Sequence, residues 1–314
     1  MGWANDSQVI GPLPQAKVND MARAQSLGET LRAKKDYLYV LPGALMIIVF
    51  FTSSIVFTMR LSFFSWNGFG EQAYVGLANY AKLFQDANFQ LSLLNTLIWV
   101  VVSLIISLAL PLVLAILIVN SSRASIFKNI FYFPSTLSGT IGSLIMVAML
   151  SVYGLPRILG LIGLPGLVKD WLAVPYANTF VMIFMGTWQG IGMSMLLFIA
   201  GLRNIDRSQI ESAQLDGAGG LSLYAKIILP ALKPTTIVVL LMSLVNNLKV
   251  FDIIWVMTKG GPYRSSETLA LTMYTESFIR HDFGGGAAVA VILTVIVTVV
   301  AYFSLRSTFR ASEN

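Results

Sequence analysis

Cysteine is absent from the 314 residues, and histidine occurs once. Without thiols there is no disulfide and no thiolate metal site, and a single imidazole cannot build a His-based one. The dipeptide Gly-Lys never occurs, so the chain cannot form the GxxxxGK[ST] loop that cradles nucleotide phosphates. HExxH and GxSxG are missing as well, so neither a zinc-protease helix nor a hydrolase nucleophile elbow can be built. Charge is scarce too: 11% of residues are charged against 56% hydrophobic, with a mean hydropathy of +0.74. That balance lies far outside the soluble globular average and puts the chain among membrane proteins. Only one carboxylate, Asp252, falls inside an apolar stretch, whereas proton-driven carriers depend on intramembrane carboxylates. A chain that moves something uphill with this composition draws its energy from elsewhere, and it is not an enzyme in the bond-breaking sense.

What is present is length in the apolar runs. A helix needs roughly 20 apolar residues to cross a bilayer, and six stretches qualify: residues 37–59, 91–119, 130–152, 176–202, 235–257 and 286–305. The expectation is an all-α polytopic membrane protein with six spans. The first run is too long for a signal-peptide core and reads as a retained span. Six spans leave both termini on one side. With 21 Lys and Arg against 15 Asp and Glu, the basic residues report orientation rather than nucleic-acid binding. Placing the termini inside puts 13 Lys/Arg there and seven outside, with Lys249 left within a span, so the termini are expected in the cytoplasm. Residues 1–36 then form a cytoplasmic tail, with a short amphipathic helix at 16–32 as one alternative to disorder. Residues 37–306 form the spanning domain, and 307–314 a second cytoplasmic tail. The longer loops at 60–90, 153–175 and 258–285 face outward and carry the tryptophans and prolines of an interfacial lid.

One cytoplasmic loop stands out. In "NIDRSQIESAQLDGAGGLSLYAKIILPALKP", Asp206 is placed to cap a helix over 207–215, with Gln209 completing a capping-box pattern. "DGAGG" then forces a turn. A second helix over 221–228 puts Leu221, Tyr224, Ala225 and Ile228 on one stripe, before Pro230 and Pro234 end it and launch the fifth span. From physics alone this is either an interfacial amphipathic hairpin or a docking element.

The spacing Glu211-Ser212-Ala213, three residues, Gly217, nine residues, Ile227, one residue, Leu229-Pro230 resembles the EAA loop of binding-protein-dependent ABC importer permeases. Ser212 stands where that pattern usually has alanine. "YVGLANYAKLF", "NTLIWV", "FYFPS" and "KVFDIIWVMTKGGP" are similar to the carbohydrate branch, in particular to the maltose/glycerol-phosphate-type first permease subunit. The resemblance implies a type I ABC importer permease fold in a bacterial inner membrane. It implies a homologous second permease, two ATP-binding subunits that carry ATP and magnesium, and an external solute-binding protein. In such permeases the loop at 203–233 is a coupling helix seated on the ATPase. Glu211, Ser212, Ala213, Asp216 and Gly217 are then expected to dock, with Ile227, Leu229 and Pro230 bracing the knob; Arg203 and Arg207 hold the bilayer edge.

The fifth span carries the densest polar set: Ser243, Asn246, Asn247, Lys249 and Asp252. At 100° per residue Ser243, Asn246, Asn247 and Val250 share one face, flanked by Lys249. Such groups are costly in lipid unless a cavity or a partner satisfies them, and an amide both donates to and accepts from a sugar hydroxyl. Lys249 and Asp252 are three apart and could instead pair with each other. In the fourth span Trp188 and Gln189 could hold a sugar ring, or Trp188 could anchor at the interface. Gly190 and Gly192 could thin the helix at a binding site or simply pack it. In similar permeases, positions matching Gly190, Met193, Ser243 and Asn247 line the sugar site. His281, between Arg280 and Asp282, reads as a solvated cluster, and "FGGGAA" as a loose start to the sixth span. An ion-coupled carrier would need more buried carboxylates, and a scaffold would not need a polar face in mid-span. Because the chain lacks cysteine, topology is directly testable. A Ser212→Cys variant should resist an impermeant maleimide applied outside intact cells, and labelling from outside would reverse the assigned orientation.

Overall fold

In this computed structural model the described residues are 39–312; the expected 1–36 tail and its helix at 16–32 lie outside them. The chain divides into two compact units at Phe57. The first holds most of helix α1 (Tyr39–Leu61), which has a π turn at Ile48–Thr52. The wider turn loosens the carbonyl of Phe50, which accepts from the Ser53 and Ser54 hydroxyls at 3.2 and 2.7 Å. Short polar side chains thus satisfy backbone where no water can.

The second unit, from Thr58 onward, begins with a two-stranded hairpin, β1 (Phe64–Ser65) against β2 (Ala73–Tyr74), and a short helix α2 (Ala78–Gln85). Helix α3 (Ala87–Val119) follows, started by the Asp86 carboxylate accepting from the Asn88 amide at 2.9 Å. Its 33 residues span about 50 Å at 1.5 Å each, well beyond a hydrocarbon core of about 30 Å. The run expected as one span at 130–152 is broken. Helix α4 (Ala124–Tyr132) ends in a 3-10 turn at Phe133–Thr136, and α5 (Gly139–Leu150) starts afresh with Ser138 as its cap. Pro134 cannot donate to the preceding turn, which explains the stop. Helices α6 (Leu155–Leu161), α7 (Ala177–Arg203), α8 (Arg207–Leu215) and α9 (Leu221–Ala231) come next; α9 bends by 69° into α10 (Lys233–Leu248). The chain finishes with α11 (Asp252–Met257), α12 (Leu269–Tyr274) and α13 (Phe283–Ser312). Among the described residues α1, α3, the α5–α6 run Gly139–Leu161, α7 and α13 are long and apolar enough to cross a membrane, five in all, and six when the bent α9–α10 pair counts as one.

Helices α3 and α7 form the spine. Toward one end Trp99 packs with Met182, Ile183 and Met185; toward the other Ala115 and Ile118 pack with Met195, Phe198 and Ile199. Gly192 lets α4 cross α7 backbone to backbone, since a Cβ there would stand 2.5 Å from the Phe131 carbonyl oxygen. The "FGGGAA" stretch is also a tight contact and not a loose start. Gly284 to Gly286 are buried, and a Cβ at Gly284 would collide with the Phe64 carbonyl.

The loop at 258–268 is likewise no lid. Ser265, Ser266, Glu267 and Thr268 are all buried, and side chains of the spine satisfy their backbone. Asn95 Nδ2 donates to the carbonyls of Arg264 and Glu267 at 3.1 and 3.0 Å, and Asn178 Nδ2 donates to Gly261 at 2.7 Å. The Arg264 guanidinium grips the Glu267 carboxylate, which also accepts from Thr272 at 2.8 Å. Asn95→Ala should strand two carbonyls and cost about 1–3 kcal/mol. Thermal unfolding in detergent should show a lower midpoint for this variant, while the exposed change Leu94→Ala should leave the midpoint in place.

Candidate functional site

Gln189 and Ser194 of α7 and Ser243, Asn246 and Asn247 of α10 line one cavity of about 350 Å³. Apart from Ile191, its lining repeats one spacing on both helices: Gly186, Gln189, Gly190, Met193, Ser194 and Leu197 on α7, and Val239, Met242, Ser243, Asn246, Asn247 and Val250 along α10 and just past its end. Steps of three and four keep each set on a single helical face. Trp99, Ser107 and Pro111 of α3 close another side, and Ser135 reaches in from the turn after α4.

The hydrogen bonds separate fixed groups from free ones. Gln189 Nε2 donates to the Leu137 carbonyl at 2.8 Å, which ties the broken third span to α7. Asn247 Nδ2 donates to the Ser243 carbonyl at 2.7 Å, while its Oδ1 accepts from Trp99 Nε1 at 3.1 Å. Ser135 Oγ is buried without a partner among the described residues. Asn246 is exposed. Serine hydroxyls and three carboxamides, set in a wall of methionine, valine and indole, can hydrogen-bond a neutral polar molecule from several directions at once.

Of the expected cargo residues, Gln189, Gly190, Met193, Ser243, Asn246 and Asn247 share this cavity; Trp188 and Lys249 do not line it. Trp188 is one residue off the α7 stripe, so the helix turns it about 100° away. Lys249 lines an adjoining cavity with Asp252, Gln189 and Asn246. The expected Lys249–Asp252 ion pair is not formed: the ion pairs among the described residues are Lys82–Asp282, Arg264–Glu267 and Arg280–Glu276. The reason is local. The fifth span is not one helix, because α10 ends at Leu248 and α11 starts at Asp252, so the three-residue helical spacing never brings the two side chains together. Trp99, Ser107, Ser135 and Ser194 were not singled out by the sequence. Only Ser194 had a readable signal, since it extends the Gly186, Gly190 stripe by one more turn.

The glycine-centred hairpin forms nearly as expected. Asp206 caps α8 by accepting from the Ser208 amide at 2.9 Å, and that hydrogen bond holds its carboxyl below the ordinary carboxylate range. Gly217, at φ +85, closes the helix as a Schellman motif: its amide bonds to the Gln214 carbonyl at 3.1 Å, and the Ala218 amide bonds to Ala213 at 2.8 Å. Glu211, Ser212 and Asp216 are exposed, whereas Ala213 is 9% exposed and packs inward with Leu223, Ile228 and Leu232. Ala213 is therefore part of the brace and not of a docking face. Ile227 packs on this cluster as expected, but Leu229 and Pro230 are exposed, and Ile228 and Leu232 take their place. Pro230 does not end the second helix, which runs on through a π turn at Tyr224–Ile228 to Ala231. The expected stripe shifts with it: Leu221 is 88% exposed and, with Leu215 at 89%, flanks the turn as an apolar tip.

Comparison with known proteins bears on family and fold. Residues 107–310 match the family model for the binding-protein-dependent transport system inner membrane component. A probable ABC transporter permease protein of Pyrococcus horikoshii is 34% identical over 88% of this chain and 96% of its own length. The arabinooligosaccharides transport system permease protein AraP of Bacillus subtilis is 30% identical over 95% of both chains. The multiple sugar-binding transport system permease protein MsmF of Streptococcus mutans is 30% identical over 86% of this chain and 93% of its own. Among solved structures, a chain of a bacterial ABC transporter involved in import of the acidic polysaccharide alginate superposes with a TM-score of 0.80 at 23% identity. The match covers 91% of this chain and 99% of that one, and the likeness is one of fold.

The turn at Gly217 is open to test. A Cβ there would meet nothing within 4 Å, so any penalty for a side chain comes from the backbone. Gly217→Val should destabilise the hairpin by about 1–3 kcal/mol, and Gly217→Asn should cost less because asparagine tolerates positive φ. Limited proteolysis of the hairpin reads the difference; equal resistance in both variants would contradict the Schellman assignment.

Proposed function

Since the chain belongs to the family of binding-protein-dependent transport system inner membrane components, and so is a multi-pass ABC transporter permease, we propose that it forms half of the translocation path of an ATP-driven carbohydrate importer. The observation that carries this reading is the cavity between α3, α7 and α10, whose hydroxyl and carboxamide groups suit a polyhydroxylated molecule. Relatives named for sugars and arabinooligosaccharides support that cargo class. Ser243, Asn246, Asn247 and Gln189 would meet sugar hydroxyls, with Met193 and Gly190 shaping the wall. Lys249 stands beside this path and not in it.

The remaining parts of the machine are assigned on the same footing. A homologous second permease completes the path, an external solute-binding protein delivers cargo, and two ATP-binding subunits hold ATP and magnesium. No nucleic acid is involved. The chain sits in the bacterial plasma (inner) membrane, in contact with its lipid, with both termini and the 203–233 loop in the cytoplasm. Glu211, Ser212, Asp216 and the apolar tip of Leu215 and Leu221 contact an ATP-binding subunit. Ala213, Ile227, Ile228 and Leu232 make the hairpin a rigid body, so closure of the ATPase pair moves α10 through the bend at Leu232.

Uptake by the assembled transporter tests the cargo assignment. Loss of one neutral hydrogen bond costs about 0.5–1.5 kcal/mol, so Asn246→Ala should weaken sugar uptake by up to roughly an order of magnitude. Basal ATP hydrolysis should survive. Sugar density remote from Ser243, Asn246 and Gln189 in a cargo-loaded structure would refute it.

A further inference from the structure

Trp99 is 1% exposed, packed among Met182, Met185, Ile254 and Leu271, yet it also lines the cavity. Its Nε1 donates to Asn247 Oδ1, and Asn247 Nδ2 donates to the Ser243 carbonyl. An indole nitrogen can only donate and a carbonyl can only accept. These two partners therefore admit one orientation of the carboxamide, and they leave one N–H and one lone pair of Asn247 unspent. Two residues later the span breaks at Lys249. The Val250 carbonyl within the break accepts from Thr268 Oγ1 at 3.2 Å. Thr268 belongs to the buried loop that Asn95 pins, and the next amide, Leu269 N, donates to Thr96 Oγ1 at 2.9 Å. One turn of α3 therefore holds both sides of the break, with Asn95 and Thr96 on the loop side and Trp99 on the cavity side.

We propose that Trp99 is a positioning residue: its indole N–H fixes the Asn247 carboxamide, and with it the hydrogen-bond geometry that the cavity offers to a sugar hydroxyl. The inference rests on the cavity being the cargo path. Trp99→Phe keeps most of the ring and removes the donor. In the assembled transporter, with radiolabelled arabinose, maltose and lactose as probes, it should raise the apparent KM of the imported sugar by roughly 2- to 12-fold. The maximal rate and basal ATP hydrolysis should hold, a split that a merely structural role would not give. In an Asn247→Ala background the same change should add no more than about twofold, because both changes remove one interaction. A full additional effect in that background would overturn the proposal. So would an unchanged KM for Trp99→Phe where Asn247→Ala raises it, and that outcome leaves the cargo path standing. An unchanged KM for both variants removes the cargo path itself. A cargo-independent measurement runs beside these. The maleimide labelling rate of an Asn246→Cys variant of this cysteine-free chain should rise several-fold when Trp99→Phe loosens the break, and an unchanged rate would count against the proposal whichever sugar is imported.

Discussion

A backbone amide or carbonyl that leaves its helix inside hydrocarbon has no water to turn to, so protein has to pair it. The interior of this chain is organised around that demand. Its third and fifth spans are interrupted, and a polar loop at 258–268 runs buried beside them. The third-span break and the loop are met by side chains of the long helices: Gln189 on α7 bonds Leu137, Asn178 on α7 bonds Gly261, and Asn95 on α3 bonds Arg264 and Glu267; the loop in turn meets the fifth-span break through Thr268 and Val250. The long helices α3 and α7 are the fixed frame; the α3 ladder lacks one rung, because Pro111 has no N–H to give the Ser107 carbonyl. The broken segments are free to carry a cavity because the frame pays their hydrogen-bond debts.

That division also separates what is rigid from what can move. The hairpin of α8 and α9 closes on itself through Gly217 and the cluster of Ala213, Leu223, Ile228 and Leu232, and it touches the frame through Leu112 and Leu202. It continues through the 69° bend into α10, the helix that lines the cavity. A push on the hairpin is therefore delivered to Ser243, Asn246 and Asn247 along one helix, four turns or so away, with Gly201 allowing Thr235 to slide close against α7. On the proposed function, this is the mechanical route from nucleotide to cargo.

The sequence was most readable where period and chain physics act alone. The apolar runs, the Asp206 cap, the limits of α8, the turn at Gly217 and the cavity face of α10 are all local properties. It was least readable where a tertiary partner overrides a local rule. Nothing near Lys249 announces a break, since the residues around it suit a helix; the break exists because Thr268, eighteen residues on, accepts the role of partner for Val250. Trp99 looks like one more apolar residue in a long span until Asn247 is placed opposite its N–H. Gly284 looks like slack and is instead a contact, because the chain that crosses it, near Phe64, is more than two hundred residues away. The α8–α9 hairpin shows the same limit in miniature: a two-residue shift from Leu221 to Leu223 exchanges an outer face for an inner one.

On the proposed function, the chemistry of the cavity fits a site that must both fill and empty in each transport cycle. A buried charge would require a permanent counter-ion, because an unpaired ion in a low-dielectric interior costs several kcal/mol even after relaxation. Among the described residues, the lining side chains of the main cavity are uncharged, and Lys249 and Asp252 are set in the cavity beside it. Hydroxyls and carboxamides lose little when a departing ligand is replaced by water, which can donate and accept in the same positions. Trp99 and the Ser243 carbonyl keep Asn247 oriented through that exchange, so the site does not have to reorder each time it fills. A permease needs binding strong enough to select and weak enough to release, and uncharged groups held in place from behind meet both conditions.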